Sequence, residues 1–132
     1  MTVVDASAVA ELLLKLPLGS AAERHVFDGA GAAAPDLLNA EILHVLRRYE
    51  LRGIIDAGRS REALADLLDL PITRYPTAAL LERAWALRWN LTAYDAIYAA
   101  LAEALGAPLI TTDAKLASAA RTHARIAVVV LA

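Results

Sequence analysis

Four acidic side chains, Asp5, Glu41, Asp95 and Asp113, have the type and placement to do chemistry in this sequence. Asp5 follows the β-branched run Thr2-Val3-Val4, and Asp113 follows Leu109-Ile110-Thr111-Thr112. Asp95 falls in the first turn of a helix opened by Thr92, and Glu41 one to two turns into an amphipathic helix. Each has an ordinary use. Aspartates after a strand are common N-caps, Thr92-x-x-Asp95 is close to a capping box, and an anion in a first turn suits the helix dipole. Glu41 could pair with Arg48 or another buried cation. On a 3.6-residue projection, however, Glu41 lies between Leu37 and Val45, on the face that also carries Leu38, Ile42, Leu46 and Tyr49, while His44, Arg47 and Glu50 point elsewhere. A glutamate on a core-facing stripe is unfavourable unless it is paired, metal-bound or open to a cleft.

Charge decides what such a set is for. Two carboxylates about 4 Å apart repel by about 4 kcal/mol at an effective dielectric near 20, so four of them imply a cation. Oxygen ligands without cysteine or a histidine pair favour a hard ion, Mg2+ or Mn2+. That ion suits metal-activated water attacking a phosphodiester in line.

The elements that must position these groups alternate. Short apolar strands are expected at 2–4, 32–34, 70–75, 109–112 and 126–130. Helices are expected at 8–16 (stopped by Pro17), 20–28, 36–52 (stopped by Gly53), 60–68, 77–89 with Thr77 as cap, 92–105 (Gly106 as C′ residue, then Pro108) and 114–121. Apolar rather than alternating strands, separated by helices, indicate an α/β fold: a three-layer α/β/α sandwich with a five-stranded, mostly parallel sheet. Ligands of such sheets bind beyond the carboxyl ends of the strands at the switch point in strand order. If strands 1 and 4 are neighbours there, all four acids reach one pocket. The run Gly29-Ala30-Gly31-Ala32-Ala33-Ala34 matches a dinucleotide-binding pattern on paper. It follows a helix and leads into a strand, which is the wrong context for cradling a pyrophosphate.

Composition bounds the remainder. The 132 residues fit a single domain, 1–132. The chain is 58% hydrophobic with mean hydropathy +0.46, much of it alanine, and the excess points to surface covered by another copy or a different chain. Helices 8–16 and 77–89 are candidates for that contact. No apolar run reaches the roughly 18 residues of a membrane span, nothing at the N-terminus reads as an export signal, and there is no cysteine, so a cytoplasmic location is expected. A net charge of −2 and pI near 5.9 do not announce a nucleic-acid binder. Lys15 and Lys115 lie near the right loops by sequence to contact a phosphodiester substrate.

Val4-Asp5-Ala6-Ser7, the helix start Pro35-Asp36-Leu37-Leu38-Asn39-Ala40-Glu41, Tyr94-Asp95-Ala96-Ile97-Tyr98-Ala99-Ala100-Leu101-Ala102 and Leu109-Ile110-Thr111-Thr112-Asp113-Ala114-Lys115-Leu116 together resemble PIN-domain ribonucleases, most closely the VapC toxins of type II toxin–antitoxin modules. The resemblance spans essentially the whole chain in the right order. It implies a Mg2+- or Mn2+-dependent endoribonuclease with Asp5, Glu41, Asp95 and Asp113 as its acidic site. Thr111 matches the family's supporting hydroxyl and Ser7 the small polar residue after the first aspartate. It further implies a homodimer, a VapB-type antitoxin that blocks the site, and an RNA substrate. Asp5, Asp95 and Asp113 are then the main metal anchors, with Glu41 holding a second, weaker metal or orienting water.

Three other readings compete. A receiver-like signalling domain wants paired acids after strand 1 and a lysine after the last strand, whereas Asp5 has no acidic neighbour; a haloacid-dehalogenase-type phosphatase wants D-x-D there, whereas position 7 is Ser. A non-catalytic PIN-type RNA- or protein-binding module would associate with RNA without cutting it.

Overall fold

The computed structural model describes all residues 1–132. Strands β1 (Thr2–Val4), β2 (Ala32–Pro35), β3 (Ile72–Tyr75), β4 (Leu109–Thr111) and β5 (Val128–Val130) form one sheet in the order β3-β2-β1-β4-β5. Every pairing is parallel. Helices α1 (Ala6–Leu13), α2 (Gly19–Val26), α3 (Leu37–Leu51) and α4 (Ala57–Asp69) precede β3. A 3-10 turn (Thr77–Leu80), α5 (Leu81–Ala86), α6 (Ala93–Leu105) and α7 (Ala114–His123) follow it.

The strand order sets the layers. From β1 the chain steps to β2 and β3 in one direction, then returns past β1 to β4 and β5 in the other. Right-handed crossovers therefore put α1 to α4 on one face and α5 to α7 on the opposite one. The helices contact one another in those groups, α1 with α2, α3 and α4, and α5 with α6. Strand order reverses at β1 and β4, so the crevice opens beyond the carboxyl ends of those two strands. The 3-2-1-4-5 order also differs from the 2-1-3-4-5 order of receiver domains, which removes the receiver-like alternative.

One cluster of 38 buried apolar residues holds the layers together. Strands β1, β2 and β4 are buried throughout because helices cover both their faces. Alanines let those layers approach closely: Ala32, Ala33 and Ala34 of β2 and Ala96, Ala99, Ala100 and Ala102 of α6 are nearly inaccessible, and the two elements touch. At Gly19 a Cβ would stand 2.6 Å from the carbonyl oxygen of Glu11, so only glycine allows α2 to fold back so closely on α1.

Several boundaries differ from sequence expectation, each for a local reason. Helix α1 begins at Ala6 rather than Ala8 because the Asp5 carboxylate accepts the Ala8 N–H at 3.0 Å, and it ends by Leu14, before Lys15 takes φ 53°. Helix α4 begins three residues early because Asp56 caps it, accepting from Arg59 N at 2.8 Å. The expected helix 77–89 is instead a 3-10 turn and a six-residue α5, and Thr77 does not cap it. The Thr77 N–H donates to the Asp36 carboxylate across the fold at 3.2 Å.

The two helices expected to be surface contacts also part company. The apolar residues Ala8, Val9, Ala10 and Leu13 of α1 belong to the core, so α1 is not a free apolar face. Around α5, Leu81, Trp85 and Trp89 stand in solvent, with the Arg88 guanidinium 4.4 and 4.9 Å from the centres of the two indole rings.

Candidate active site

The floor of the site is built by hydrogen bonds that the sequence writes locally. Asp5 ends β1 and caps α1, and it is only 6% exposed. Its Oδ1 accepts from Ala8 N and from Ser7 Oγ, the latter at 2.6 Å. Because the single Ser7 proton goes to Asp5, Thr111 is the donor in the 3.4 Å contact between the Ser7 and Thr111 hydroxyls. Ser7 Oγ also accepts from Thr112 N, and Thr111 Oγ1 accepts from Asp113 N, both at 3.0 Å. A relay thus runs Asp113 N–H to Thr111 to Ser7 to Asp5. It ties the start of α1 to the end of β4 and leaves Asp5 Oδ2 free of the bonds that hold Oδ1.

The other two aspartates are placed by helix starts. Asp113 caps α7, its Oδ1 accepting from Lys115 N and Leu116 N, and the carboxylate is exposed. Thr92 caps α6 by accepting from Asp95 N at 3.3 Å, which leaves the half-buried Asp95 carboxylate in the first turn. Gly106, at φ 60°, terminates the same helix. Capping and site-building are therefore not rival uses of these residues. The cap fixes the backbone, and at least one carboxylate oxygen of each aspartate remains for something else.

Glu41 comes from α3 on the opposite face of the sheet. The buried stripe of α3 is Leu38, Ile42 and Leu46, while Leu37, Val45 and Tyr49 are half-buried. The stripe is thus turned by about one residue from its expected position, and Glu41 sits at the border of core and cleft with Leu37 and Val45. His44, expected to point away, lines that cleft as well. The cleft has a volume of about 620 Å3 and includes Ser7, Glu41, His44, Arg48, Tyr94 and Thr112 in its wall. Glu41 forms no ion pair with Arg48; Glu41 Oε1 is buried with no hydrogen-bond partner.

The electrostatics join all four acids. Burial pushes the Asp5 carboxyl above its ordinary range, against the Ser7 and Thr111 hydroxyls and Ala8 N–H, with Asp95 adding repulsion. Burial raises Glu41 too, and both Asp5 and Asp95 push it further. Asp95 is raised by burial and then by Asp113, with the Thr92 hydroxyl opposing. Glu41, Asp5, Asp95 and Asp113 are coupled in that sequence, and no basic side chain counters the upward shifts of the first three.

A divalent oxygen-loving cation fits this chemistry. The donors are carboxylates, no basic side chain offsets them, and the missing component is positive charge. No three of the acids enclose a point at ligating distance as they stand. Among the four carboxylates, those of Asp5 and Asp113 are held by hydrogen bonds from backbone N–H groups at their helix starts.

The two lysines are placed differently. Lys15 lies past the far end of α1, in a surface depression with Glu23, Asp66 and Asp69. It does not line the cleft that holds Glu41, although its neighbour Leu16 does. Lys115 is exposed in the first turn of α7 beside Asp113. The basic side chains that line the cleft are instead His44 and Arg48. Spacing could have found them, because they fall three and seven residues after Glu41 on one helix face.

Comparison with known proteins agrees with this architecture. A family model described as "PIN domain" matches residues 2–122. Ribonuclease VapC9 of Mycobacterium tuberculosis is 40% identical over 98% of both chains, and Ribonuclease VapC12 of the same organism is 37% identical over 98% of this chain and 99% of its own. Ribonuclease VapC1, again of M. tuberculosis, is 43% identical over 89% of both chains. Among solved structures, that of PAE2754 from Pyrobaculum aerophilum superposes with a TM-score of 0.66 at 28% identity, covering 89% of this chain and 84% of that one. The chain belongs to the PIN-domain family, and within it to the VapC ribonucleases.

Proposed function

We propose that residues 1–132 act as one unit, an endoribonuclease that hydrolyses RNA phosphodiester bonds with Mg2+ or Mn2+ and serves as the toxin of a VapBC-type module. The observation that carries the reading is the uncompensated acidic cluster at the β1/β4 switch point, with its coupled, upward-shifted carboxyls. The names of the VapC relatives supply the substrate class.

Asp5, Asp95 and Asp113 would hold the ion, with Glu41 facing them across the crevice. The ion supplies charge neutralisation and Lewis acidity at the scissile phosphate and its attacking water. Asp5 works as the fixed anchor, because Ser7 and Ala8 hold its Oδ1 and Thr111 braces Ser7. Glu41, whose carboxylate is made more basic by burial and by the neighbouring Asp5 and Asp95, would orient the attacking water or take its proton. RNA would enter along the cleft past Tyr94, His44 and Arg48, with Lys115 at the rim and Lys15 outside its path.

A VapB-type antitoxin would cover the same cleft. A second copy of the chain would cover the α5 surface, where Leu81, Trp85 and Trp89 remain exposed. No helix is long and apolar enough to cross a membrane; a cytoplasmic site of action fits an enzyme working on cellular RNA. The test is incubation of the purified chain with total cellular RNA and Mg2+ or Mn2+, beside Asp95→Asn. Discrete cuts by the wild type alone support the reading. RNA binding without cutting indicates a non-catalytic PIN module.

A further inference from the structure

Helix α6 contributes a second polar group to the site besides Asp95. Tyr98 lies one turn further along, on the same face, and is only 2% exposed. Side chains on a helix lean toward its N-terminus, so a long phenol at position 98 reaches back to the level of Asp95. Its hydroxyl is buried without a hydrogen-bond partner, and so is Glu41 Oε1.

These two orphans belong together. One is a donor when protonated, the other an acceptor when ionised, and they come from helices on opposite faces of the sheet. They also perturb each other: the Glu41 carboxylate is the strongest charge acting on Tyr98, and the Tyr98 hydroxyl is the group that opposes the rise of Glu41. Buried polar groups in folded proteins are nearly always paired, directly or through an ordered water. Neither atom meets a hydrogen-bond partner as it stands, so a small side-chain movement or one bound water is what would let each satisfy the other. Burial and the surrounding carboxylates keep the phenol protonated, and therefore a donor, throughout the working pH range.

We propose that Tyr98 is a positioning residue for the nuclease reaction: its hydroxyl, directly or through one bound water, holds the Glu41 carboxylate toward the aspartates. The phenol bridges the two helical layers beneath the crevice and selects the Glu41 rotamer that faces Asp5 and Asp95. This rests on the nuclease reading above and adds to it a residue outside the acidic set.

The test is Tyr98→Phe, which removes one oxygen and keeps the packed ring. Mn2+ affinity by titration calorimetry should fall about tenfold, in keeping with the loss of a group that orients a metal ligand. kcat for RNA should fall with KM unchanged, and the metal-free melting temperature should stay within a few degrees of wild type. Glu41→Gln supplies the second arm: adding Tyr98→Phe to it should cause no further loss of Mn2+ affinity. Wild-type Mn2+ affinity in Tyr98→Phe, additive losses in the double variant, or a melting point lowered by many degrees would each overturn the positioning role. Wild-type chain that neither binds Mn2+ nor cuts RNA would bring down the nuclease reading and this one together, whereas binding and cutting untouched by Tyr98→Phe would remove only this one.

Discussion

Asp5→Asn should make the metal-free protein more stable while removing its response to metal. Asparagine keeps the shape, and its Oδ1 can still accept from Ala8 N–H and the Ser7 hydroxyl, so the cap on α1 survives. What disappears is a charge that is almost fully buried and faces other carboxylates without a cation. One pair of carboxylates about 6 Å apart repels by roughly 3 kcal/mol at an effective dielectric near 20. Partial protonation and water in the open cleft reduce this, leaving about 1–2 kcal/mol, or roughly 3–8 °C in melting temperature for a chain of this length. Adding Mn2+ at a hundred times its dissociation constant should stabilise the wild type by about 2.7 kcal/mol and the variant by far less. Thermal melts with EDTA and with Mn2+ measure both effects. If Asp5 were only a helix cap, Asp5→Asn would leave the metal-free melting point level or lower and leave any Mn2+ shift intact. That pair of results would refute the reasoning.

Three further outcomes follow from the same geometry. Asp5, Glu41 and Asp95 all carry raised carboxyl pKa values, so the folded state binds their protons more tightly than the unfolded chain does. Their contribution to stability is full below the ordinary carboxylate range and is lost as pH rises through the raised values. Without metal, the triple variant Asp5→Asn/Glu41→Gln/Asp95→Asn should therefore gain on wild type in melting temperature between about pH 4 and pH 7, and a constant difference would contradict this. Thr111→Val removes the hydroxyl that accepts Asp113 N–H and braces Ser7, and should lower stability in urea by about 1–3 kcal/mol while slowing cleavage. Thr92→Ala should lose about 1 kcal/mol by the same assay, because its hydroxyl caps α6 at Asp95 N.

The stretch from Leu91 to Lys115 was legible because its determinants are local. Thr92 caps, Gly106 adopts φ 60°, and Asp113 caps the next helix, each within a few residues of the structure it decides. Parallel order was legible from uninterrupted apolar strands. Less legible was anything settled across the sheet. Nothing near Thr77 indicates that its N–H goes to Asp36 rather than opening a long helix. The α3 stripe was displaced because Leu37 and Val45 read as core residues by type, yet they border the cleft with Glu41. Tyr98 stands in sequence among the apolar residues of α6, and nothing local marks its hydroxyl as buried without a partner. Lys15 looked near the site by sequence and lines a separate depression with Glu23, Asp66 and Asp69.

The most direct measurement is anomalous diffraction from a crystal of the chain grown or soaked with Mn2+. A Mn2+ peak is expected at the carboxyl ends of β1 and β4, ligated by Asp5, Asp95 and Asp113 with Glu41 facing it, and absent in Asp95→Asn. Cleavage-competent protein with no Mn2+ at that position, or with its ion bound elsewhere, would contradict the assignment of these four acids as the active site.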